Sequence, residues 1–258
     1  MKIEDLFSVK GKTALVTGGS RGIGYMIARG LVENGVKVYI TARKAEACDM
    51  AAKELSQYGE CISIPGDLSS MAEIERLADY IKEKEEKLDI LVNNAGATWG
   101  ASFYDFPEDG WDKIMNVNVK PIFFLTQKLG KLMEAAASHE DPARVINVAS
   151  VDGMHVSSLE TYSYAASKAA VIHLTKMMAK FLAPKNMTVN AIAPGPFESK
   201  MMAATLAAAG DMIKASVPRN RIGVPEDMAG VAIYLSSKAG AYVTGTTIPV
   251  DGGLATTV

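Results

Sequence analysis

Several features that mark particular classes of protein are scarce in this chain. It has two cysteines and three histidines among 258 residues and no Cys-x-x-Cys pair, so neither a disulfide framework nor a zinc or other metal site is expected. No run of about 18 apolar residues occurs, so no membrane-spanning helix is expected. The first dozen residues mix polar and apolar side chains without a signal-peptide pattern, and we therefore expect a cytoplasmic protein.

An excess of charge of either sign is also absent. The net charge is -2, which argues against nucleic acid or an anionic membrane as a partner. The densest charge run, residues 82–87, mixes lysine with glutamate and indicates a solvated helix end. Hydrophobic residues make up 48% of the chain, and no linker-like stretch or repeat divides it. We therefore expect residues 1–258 to form one domain.

Strand-like and helix-like segments alternate along the chain. The predicted strands are 13–16, 36–41, 61–64, 90–92, 145–148, 188–192 and 246–250. The predicted helices are 24–34, 45–58, 71–87, 111–137, 163–183 and 226–236, with Pro121 expected to kink or interrupt the fourth. Because most strands are continuous Val- and Ile-rich runs, they suit a sheet covered on both faces. The sequence predicts an α/β fold, a single Rossmann-like doubly wound domain with a mainly parallel seven-stranded sheet, which binds ligands at the carboxyl ends of its strands.

A glycine-rich turn joins the first predicted strand to the first predicted helix. Glycines there allow a tight turn and close approach to a pyrophosphate, and the helix N-terminus offers free N–H groups. A purely structural turn is the alternative. The spacing Gly-x-x-x-Gly-x-Gly resembles the phosphate loop of the short-chain dehydrogenase/reductase family. The predicted cofactor-binding residues in this turn are Gly18, Ser20, Arg21, Gly22, Ile23 and Gly24.

The end of the second strand bears on the choice of cofactor. A carboxylate near this point selects NAD through the ribose 2′-hydroxyl, whereas this chain has Ala42 followed by Arg43. A guanidinium pairs with a 2′-phosphate, and Arg21 supplies a second cation. The sequence thus predicts NADP(H), the alternative being that Arg43 and Lys44 only begin a solvated helix.

Tyr164 and Lys168 are spaced four residues apart, which places them one turn apart on a helix face. An ammonium ~4 Å from a phenol at an effective dielectric of ~20 stabilises phenolate by up to ~4 kcal/mol, which would bring the pKa of Tyr164 toward the useful range. By itself the pair also fits an amphipathic helix with a snorkelling lysine. Tyr162 is rejected as the reactive tyrosine because its fourth neighbour is Ala166.

The family resemblance extends over nearly the whole chain and implies roles for further residues. It implies a catalytic set in which Tyr164 exchanges a proton with the substrate oxygen, Ser150 hydrogen-bonds that oxygen, Lys168 also holds the nicotinamide ribose and Asn118 holds a proton-relaying water. It implies further cofactor contacts at Asp67, Leu68, Asn94, Ala95, Gly96, Pro194, Gly195, Phe197 and Ser199. Ser199 stands where the family has threonine, and Asp67 also fits a simple turn. The C-terminal segment resembles family endings that are linked to tetramer assembly, so a homotetramer is expected.

Within the family, the chain is most similar to bacterial 3-oxoacyl-thioester reductases, particularly the branch associated with rhamnolipid synthesis. Short stretches at 25–28, 47–48 and 141–147 carry that closer likeness. The resemblance implies a 3-oxoacyl substrate on acyl carrier protein or coenzyme A. Lys131 and Lys180 are candidate docking cations for an acidic carrier, although Glu140 and Asp141 would repel it.

Other functions remain open on the sequence alone. One is a dehydrogenase of a free alcohol, polyol or steroid, although the apolar run 201–209, in the segment where the family has a lid, favours a lipid. The other function is a non-catalytic NADP(H)-binding regulator, which the presence of both Tyr164 and Lys168 disfavours. His155 lies between Ser150 and Tyr164, and contact of this residue with the substrate is a further hypothesis.

Overall fold

A single seven-stranded sheet organises the molecule. The structure, a computed structural model, describes residues 2–199 and 202–257. The strands lie in the order β3-β2-β1-β4-β5-β6-β7, and every neighbouring pair is parallel. The strands are β1 (Thr13–Thr17), β2 (Lys37–Thr41), β3 (Cys61–Ser63), β4 (Ile90–Asn93), β5 (Ala143–Val148), β6 (Met187–Pro194) and β7 (Thr247–Val250). The predicted doubly wound α/β fold is therefore confirmed, with a sheet that is wholly rather than mainly parallel.

Helices cover both faces of the sheet. In the described residues they are α1 (Ile3–Leu6), α2 (Gly22–Glu33), α3 (Ala45–Leu55), α4 (Met71–Lys84), α5 (Glu108–Asn118), α6 (Lys120–Ala136), α7 (Tyr162–Leu182), α8 (Ala203–Ser216) and α9 (Pro225–Ser236). Helices α2, α3 and α9 pack on one face, and α4, α6 and α7 pack on the other. Successive residues of one strand face opposite layers: Val38 and Ile40 join the first layer, and Tyr39 joins the second. This two-sided burial explains the continuous apolar runs of the strands.

The fourth predicted helix is divided in two. Helix α5 ends at Asn118, and Val119 (φ -114°, ψ -53°) separates it from α6. Pro121 lies in the first turn of α6, where the missing N–H is tolerated because first-turn N–H groups have no helical partner. The interruption expected near Pro121 is thus present, just before the proline.

Two helices were not predicted from the sequence. Helix α1 has four residues, too short to show a periodic pattern. Helix α8 is rich in alanine and has a kink at Ala209 (φ -142°, ψ 22°). Its weak contrast between apolar and polar faces gave no helical period to detect. No helix of the described chain is both long and apolar enough to cross a bilayer.

The strand order reverses between β1 and β4. Strand β1 pairs with β2 on one side and with β4 on the other, so the connections leaving β1 and β4 diverge to opposite faces and open a crevice. Ligands of doubly wound sheets bind at such a crevice, outside the carboxyl ends of the strands. The loops that begin at Gly18 and Asn94 both start there.

Candidate active site

The glycine-rich turn after β1 needs its glycines. Gly18 (φ 68°) and Gly22 (φ 54°) adopt the left-handed conformation that side chains disfavour. A Cβ on Gly18 would also lie 2.7 Å from the Asn94 Nδ2 atom. Helix α2 starts at Gly22 without a side-chain cap, so its first N–H groups are available to an anion. These features fit a dinucleotide pyrophosphate.

Thr17, at the end of β1, fastens this turn to the loop after β4. Its Oγ1 atom accepts hydrogen bonds from the backbone N–H groups of Asn94 and Ala95, both at 2.9 Å. The Asn94 amide donates back to the Thr17 carbonyl at 2.8 Å and to the Gly18 carbonyl at 3.2 Å. The two loops therefore hold each other in place. Thr17 was not predicted from the sequence, where it is only the polar last residue of an apolar strand.

Arg21 and Arg43 are the cations expected at the 2′-phosphate. Both side chains are exposed, and within the described chain neither has an ion pair or a side-chain hydrogen bond. The neighbouring Thr41 hydroxyl is buried and has no hydrogen-bond partner among the described residues. Two uncompensated guanidiniums and an orphaned hydroxyl at this end of the sheet suit a phosphorylated ribose.

Asp67 and Leu68 occupy the loop after β3. The Asp67 carboxylate is exposed and accepts a hydrogen bond from the Ser69 N–H at 3.1 Å, which is the turn contact that the sequence left open. Its second oxygen remains available for a ligand amino group. The Leu68 side chain is buried in the core, so only its backbone is left for contact with a nucleotide.

Ser150, Tyr164 and Lys168 meet beyond the carboxyl end of β5. Ser150 lies two residues after the end of β5, and Tyr164 and Lys168 lie in the first two turns of α7. The Lys168 side chain is only 5% exposed, and its Nζ donates a hydrogen bond to the Val148 carbonyl at 2.8 Å. The same Nζ lies 5.5 Å from the centre of the Tyr164 ring. The structure therefore brings these three predicted residues together.

Burial controls the protonation of this pair. It raises the pKa of Tyr164 to about 12, although the nearby Ser150 hydroxyl acts to lower it. Burial also lowers the pKa of Lys168 to about 8. The sequence argument predicted that Lys168 lowers the pKa of Tyr164 toward neutral pH, whereas in the folded chain the loss of hydration is the largest effect and raises that pKa. Tyr164 is accordingly a neutral phenol, ready to donate a proton.

The Asn118 side chain links the loop after β4 to α7. Its Oδ1 accepts from the Ala97 N–H at 2.8 Å, and its Nδ2 donates to the Ala97 carbonyl at 3.0 Å and to the Ser167 hydroxyl at 2.9 Å. Both amide hydrogens are thus used, and one Oδ1 lone pair remains. We conclude that the carboxamide has a structural role and that the expected water would have to use that lone pair or the backbone.

Comparison with known proteins agrees with this geometry. A family model described as Enoyl-(Acyl carrier protein) reductase matches residues 18–255. The chain belongs to the short-chain dehydrogenase/reductase family. It is 51% identical to the rhamnolipids biosynthesis 3-oxoacyl-[acyl-carrier-protein] reductase of Pseudomonas aeruginosa, over 96% of this chain and 97% of that protein. It is 34% identical to a 3alpha-hydroxysteroid dehydrogenase of Mediterraneibacter gnavus, over 95% and 97% of the two chains.

A solved structure gives the same result for the fold. The Pseudomonas aeruginosa RhlG/NADP active-site complex superposes with a TM-score of 0.94 at 49% identity, covering 97% of this chain and 99% of that chain. The resemblance to this family inferred from the phosphate loop and the Tyr-x-x-x-Lys motif is therefore confirmed.

A buried polar chain supports the site of this dehydrogenase/reductase. The Asn93 amide donates to the Asn147 Oδ1 at 2.9 Å, and the Asn147 amide donates to the Thr175 hydroxyl at 2.9 Å. These contacts join β4, β5 and α7 just beneath Ser150. Sequence reasoning gave Asn93 and Asn147 no role of their own, although a polar residue inside an apolar strand was a usable signal.

The segment after β6 contains the predicted cofactor-binding residues Gly195, Phe197 and Ser199. A Cβ on Gly195 would lie 2.7 Å from the Asp251 Cβ, so close packing requires glycine there. The Phe197 ring is 3% exposed and packs beneath Gly223, which leaves only its backbone for cofactor contact. Ser199 lies against the phosphate loop, since a Cβ on Gly22 would be 3.3 Å from its Cβ. Of the predicted lid, Met201 lies outside the described residues.

Proposed function

We propose that this short-chain dehydrogenase/reductase uses NADPH to reduce a 3-oxoacyl thioester to the 3-hydroxyacyl form. The single observation that carries the proposal is the meeting of Ser150, Tyr164 and Lys168 beside the glycine-rich turn. The proton donor Tyr164 and the hydrogen-bond donor Ser150 thus lie at the same end of the sheet as the glycine-rich turn, as carbonyl reduction requires. The name of the 51% identical relative supports the acyl substrate.

The chain's own residues divide the binding of the cofactor among them. The open N-terminus of α2 and the turn from Gly18 to Gly24 hold the pyrophosphate. Arg21 and Arg43 hold the 2′-phosphate and thereby select NADP(H) over NAD(H). The remaining predicted contacts are proposed on the adenosine and nicotinamide sides: Ser20, Ile23, Asp67, Leu68, Asn94, Ala95, Gly96, Pro194, Gly195, Phe197 and Ser199.

The catalytic residues act on the substrate oxygen. NADPH, when bound, supplies the hydride that the carbonyl carbon receives. Tyr164 gives its phenolic proton to the carbonyl oxygen, and Ser150 donates a hydrogen bond to that oxygen as negative charge develops on it. Lys168, as an ammonium, stabilises the phenolate that Tyr164 becomes. Asn118 keeps the loop at Ala97 against α7 and thus maintains the shape of the site.

The charges near Asp141 bear on the carrier of the acyl group. Asp141, expected from the sequence to repel an acidic carrier protein, is neutralised by ion pairs with Lys12 at 2.7 Å and Arg144 at 3.0 Å. Lys131 is paired with Glu134 at 2.8 Å, which reduces its value for docking, while Lys180 is exposed. Within the proposal, both acyl carrier protein and coenzyme A are therefore acceptable carriers. A cytoplasmic homotetramer of single-domain chains completes the proposal.

The test is NADPH oxidation by the purified protein with a medium-chain 3-oxoacyl thioester, presented on coenzyme A and on acyl carrier protein, with NADH as the control. Rapid turnover with NADPH and slow turnover with NADH supports the proposal. If NADPH binds but neither thioester reacts, the acyl assignment is wrong. The 34% identical hydroxysteroid dehydrogenase then makes a free alcohol, polyol or steroid the next substrate to try. Turnover of any carbonyl excludes a purely regulatory role.

A further inference from the structure

Asp152 introduces a carboxylate beside the catalytic residues that neither the family motif nor the mechanism above uses. It lies two residues after Ser150, in a single 3-10 turn, Val151–Gly153. The Ser150 hydroxyl accepts a hydrogen bond from the Asp152 N–H at 3.2 Å. The carboxylate is half-buried and makes no hydrogen bond within the described chain. No hydrogen-bond donor among the described residues therefore neutralises the charge of Asp152.

The turn that carries Asp152 is pressed against α7 at the level of Lys168. A Cβ on the adjacent Gly153 would lie only 2.6 Å from the Lys168 carbonyl carbon and 2.8 Å from the Ala169 nitrogen. No side chain larger than glycine fits there, so the backbone of the turn sits directly on the catalytic turn of the helix. This contact fixes the backbone that carries Asp152 against the backbone of α7 at Lys168.

The titratable neighbours of Asp152 lie on the elements around it. On α7 they are Tyr164 and Lys168, and on the turn's own continuation the neighbour is His155. Strand β6, which also borders the turn, has no titratable side chain. Tyr162 and Glu160 hydrogen-bond each other at 2.8 Å in an exposed position. Asp152 is thus the carboxylate that acts on the catalytic pair.

We propose that Asp152 is a positioning residue that holds Tyr164 as the neutral phenol and Lys168 as the ammonium, the two protonation states that carbonyl reduction requires. A negative charge disfavours a second negative charge on Tyr164 and favours a positive charge on Lys168. The inference rests on the proposed function in so far as reduction is the physiological direction. The effect of the Asp152 charge on the protonation of Tyr164 and Lys168 does not depend on the substrate.

The directions of the pKa shifts agree with this role. The charge of Asp152 raises the pKa of Tyr164, adding to the larger effect of burial. It also raises the pKa of Lys168, opposing the larger effect of burial, which lowers it. Burial in turn raises the pKa of Asp152, while His155 and Lys168 favour its ionised form.

The primary test needs no substrate. In protein labelled with ¹³Cζ-tyrosine, the Tyr164 signal is assigned by its loss in Tyr164→Phe, and its ionisation is followed by NMR to pH 11. With a pKa of about 12, about a tenth of wild-type Tyr164 is phenolate at pH 11. Asp152→Asn keeps the shape and removes the charge. We expect a shift of about one pH unit, which makes about half of Tyr164 phenolate at that pH.

Two matched variants separate charge from shape. Asp152→Glu retains the charge and is expected to titrate like the wild type. Asp79→Asn removes an equal charge from the exposed surface of α4, where Asp79 pairs with Lys82 at 3.0 Å, and is expected to leave Tyr164 unchanged. Circular dichroism of the same samples verifies the fold. The proposal is wrong if Asp152→Asn titrates like the wild type, or if Asp152→Glu behaves like Asp152→Asn.

The pH profile of catalysis supplies the second readout. In the reductive direction, kcat/KM falls as the pair loses its first required proton, which comes from Lys168 with its pKa of about 8. Asp152→Asn should therefore move that descending limb about one pH unit lower while KM for NADPH stays unchanged. Absence of turnover by the wild-type enzyme with 3-oxoacyl thioesters would count against the proposed function only, because the NMR titration still decides the role of Asp152.

Discussion

The substitution Thr17→Val tests whether the hydroxyl at the end of β1 joins the two cofactor loops. Valine has nearly the same shape as threonine, and Thr17 is only 2% exposed, so the change removes one oxygen and little packing. That oxygen accepts from the N–H groups of Asn94 and Ala95, 77 and 78 positions away in the chain. Both donors lose their partner at the same time, and valine offers no replacement.

The expected loss follows from these two bonds. A hydrogen bond of this kind contributes about 1 kcal/mol, and a donor left without a partner costs about as much or more. We therefore expect Thr17→Val to lower the free energy of unfolding by about 2 to 3 kcal/mol. For a chain of this size, 1 kcal/mol corresponds to about 2 to 4 °C, so Tm should fall by about 4 to 12 °C.

Differential scanning calorimetry and NADPH fluorescence provide the measurements. Thr17→Ser is the matched control, because it keeps the accepting oxygen and loses only a methyl group. We expect Thr17→Ser to retain most of the stability and Thr17→Val to bind NADPH more weakly, since the loop at Asn94 is no longer held. The reasoning would be refuted if Thr17→Val melted at or above the temperature of Thr17→Ser and bound NADPH equally well.

Three further predictions concern the cofactor and the catalytic pair. Tyr164→Phe should lower kcat/KM by about 10² to 10⁴ with an NADPH dissociation constant within about twofold; retained turnover in steady-state assays would contradict its role. Ala42→Asp should lower the NADPH-to-NADH ratio of kcat/KM by about tenfold or more, because the carboxylate repels the 2′-phosphate; an unchanged ratio would count against Arg43. Lys168→Met should raise the free energy of unfolding by about 2 kcal/mol at pH 7, and that gain should vanish by about pH 10. Urea denaturation of the wild type and the variant at both pH values measures the difference.

The pH dependence of the last prediction follows from the direction of the shift. Burial lowers the pKa of Lys168 from 10.5 to about 8 in the folded chain, so between these values the unfolded chain binds more protons. Stability due to this group therefore rises with pH across that window, and the full cost of the buried ammonium, about 3 kcal/mol, is present below it. Loss of the hydrogen bond to the Val148 carbonyl offsets about 1 kcal/mol of the gain in Lys168→Met. A stability difference that did not vary with pH would show that burial of the charge is not the cause.

Much of the fold could be predicted because its signals are local. Seven apolar runs correspond to the seven strands, since strands covered on both faces are apolar throughout. The helical spacing of Tyr164 and Lys168 depends only on the pitch of a helix. The left-handed glycines at 18 and 22 follow from the tight turn between β1 and α2. The short helix α1 and the alanine-rich helix α8 gave no such local signal.

The placement of individual side chains was less predictable. The ring of Phe197, a residue expected among the cofactor contacts, is buried under Gly223, a residue 26 positions later in the chain. Asn118, expected to hold a water, uses its carboxamide to bond Ala97 and Ser167. In both cases the deciding neighbour is distant in sequence, and no local pattern specifies it.

The sequence by itself determined the family and the sheet and singled out Tyr164 and Lys168 as the proposed reactive side chains, because these depend on residue type and on spacing within one turn or strand. Only the tertiary structure decided how those side chains are protonated. Tyr164 and Lys168 have pKa values displaced in opposite directions by a shared loss of hydration. That loss, like the approach of Asp152, arises where separate segments pack together.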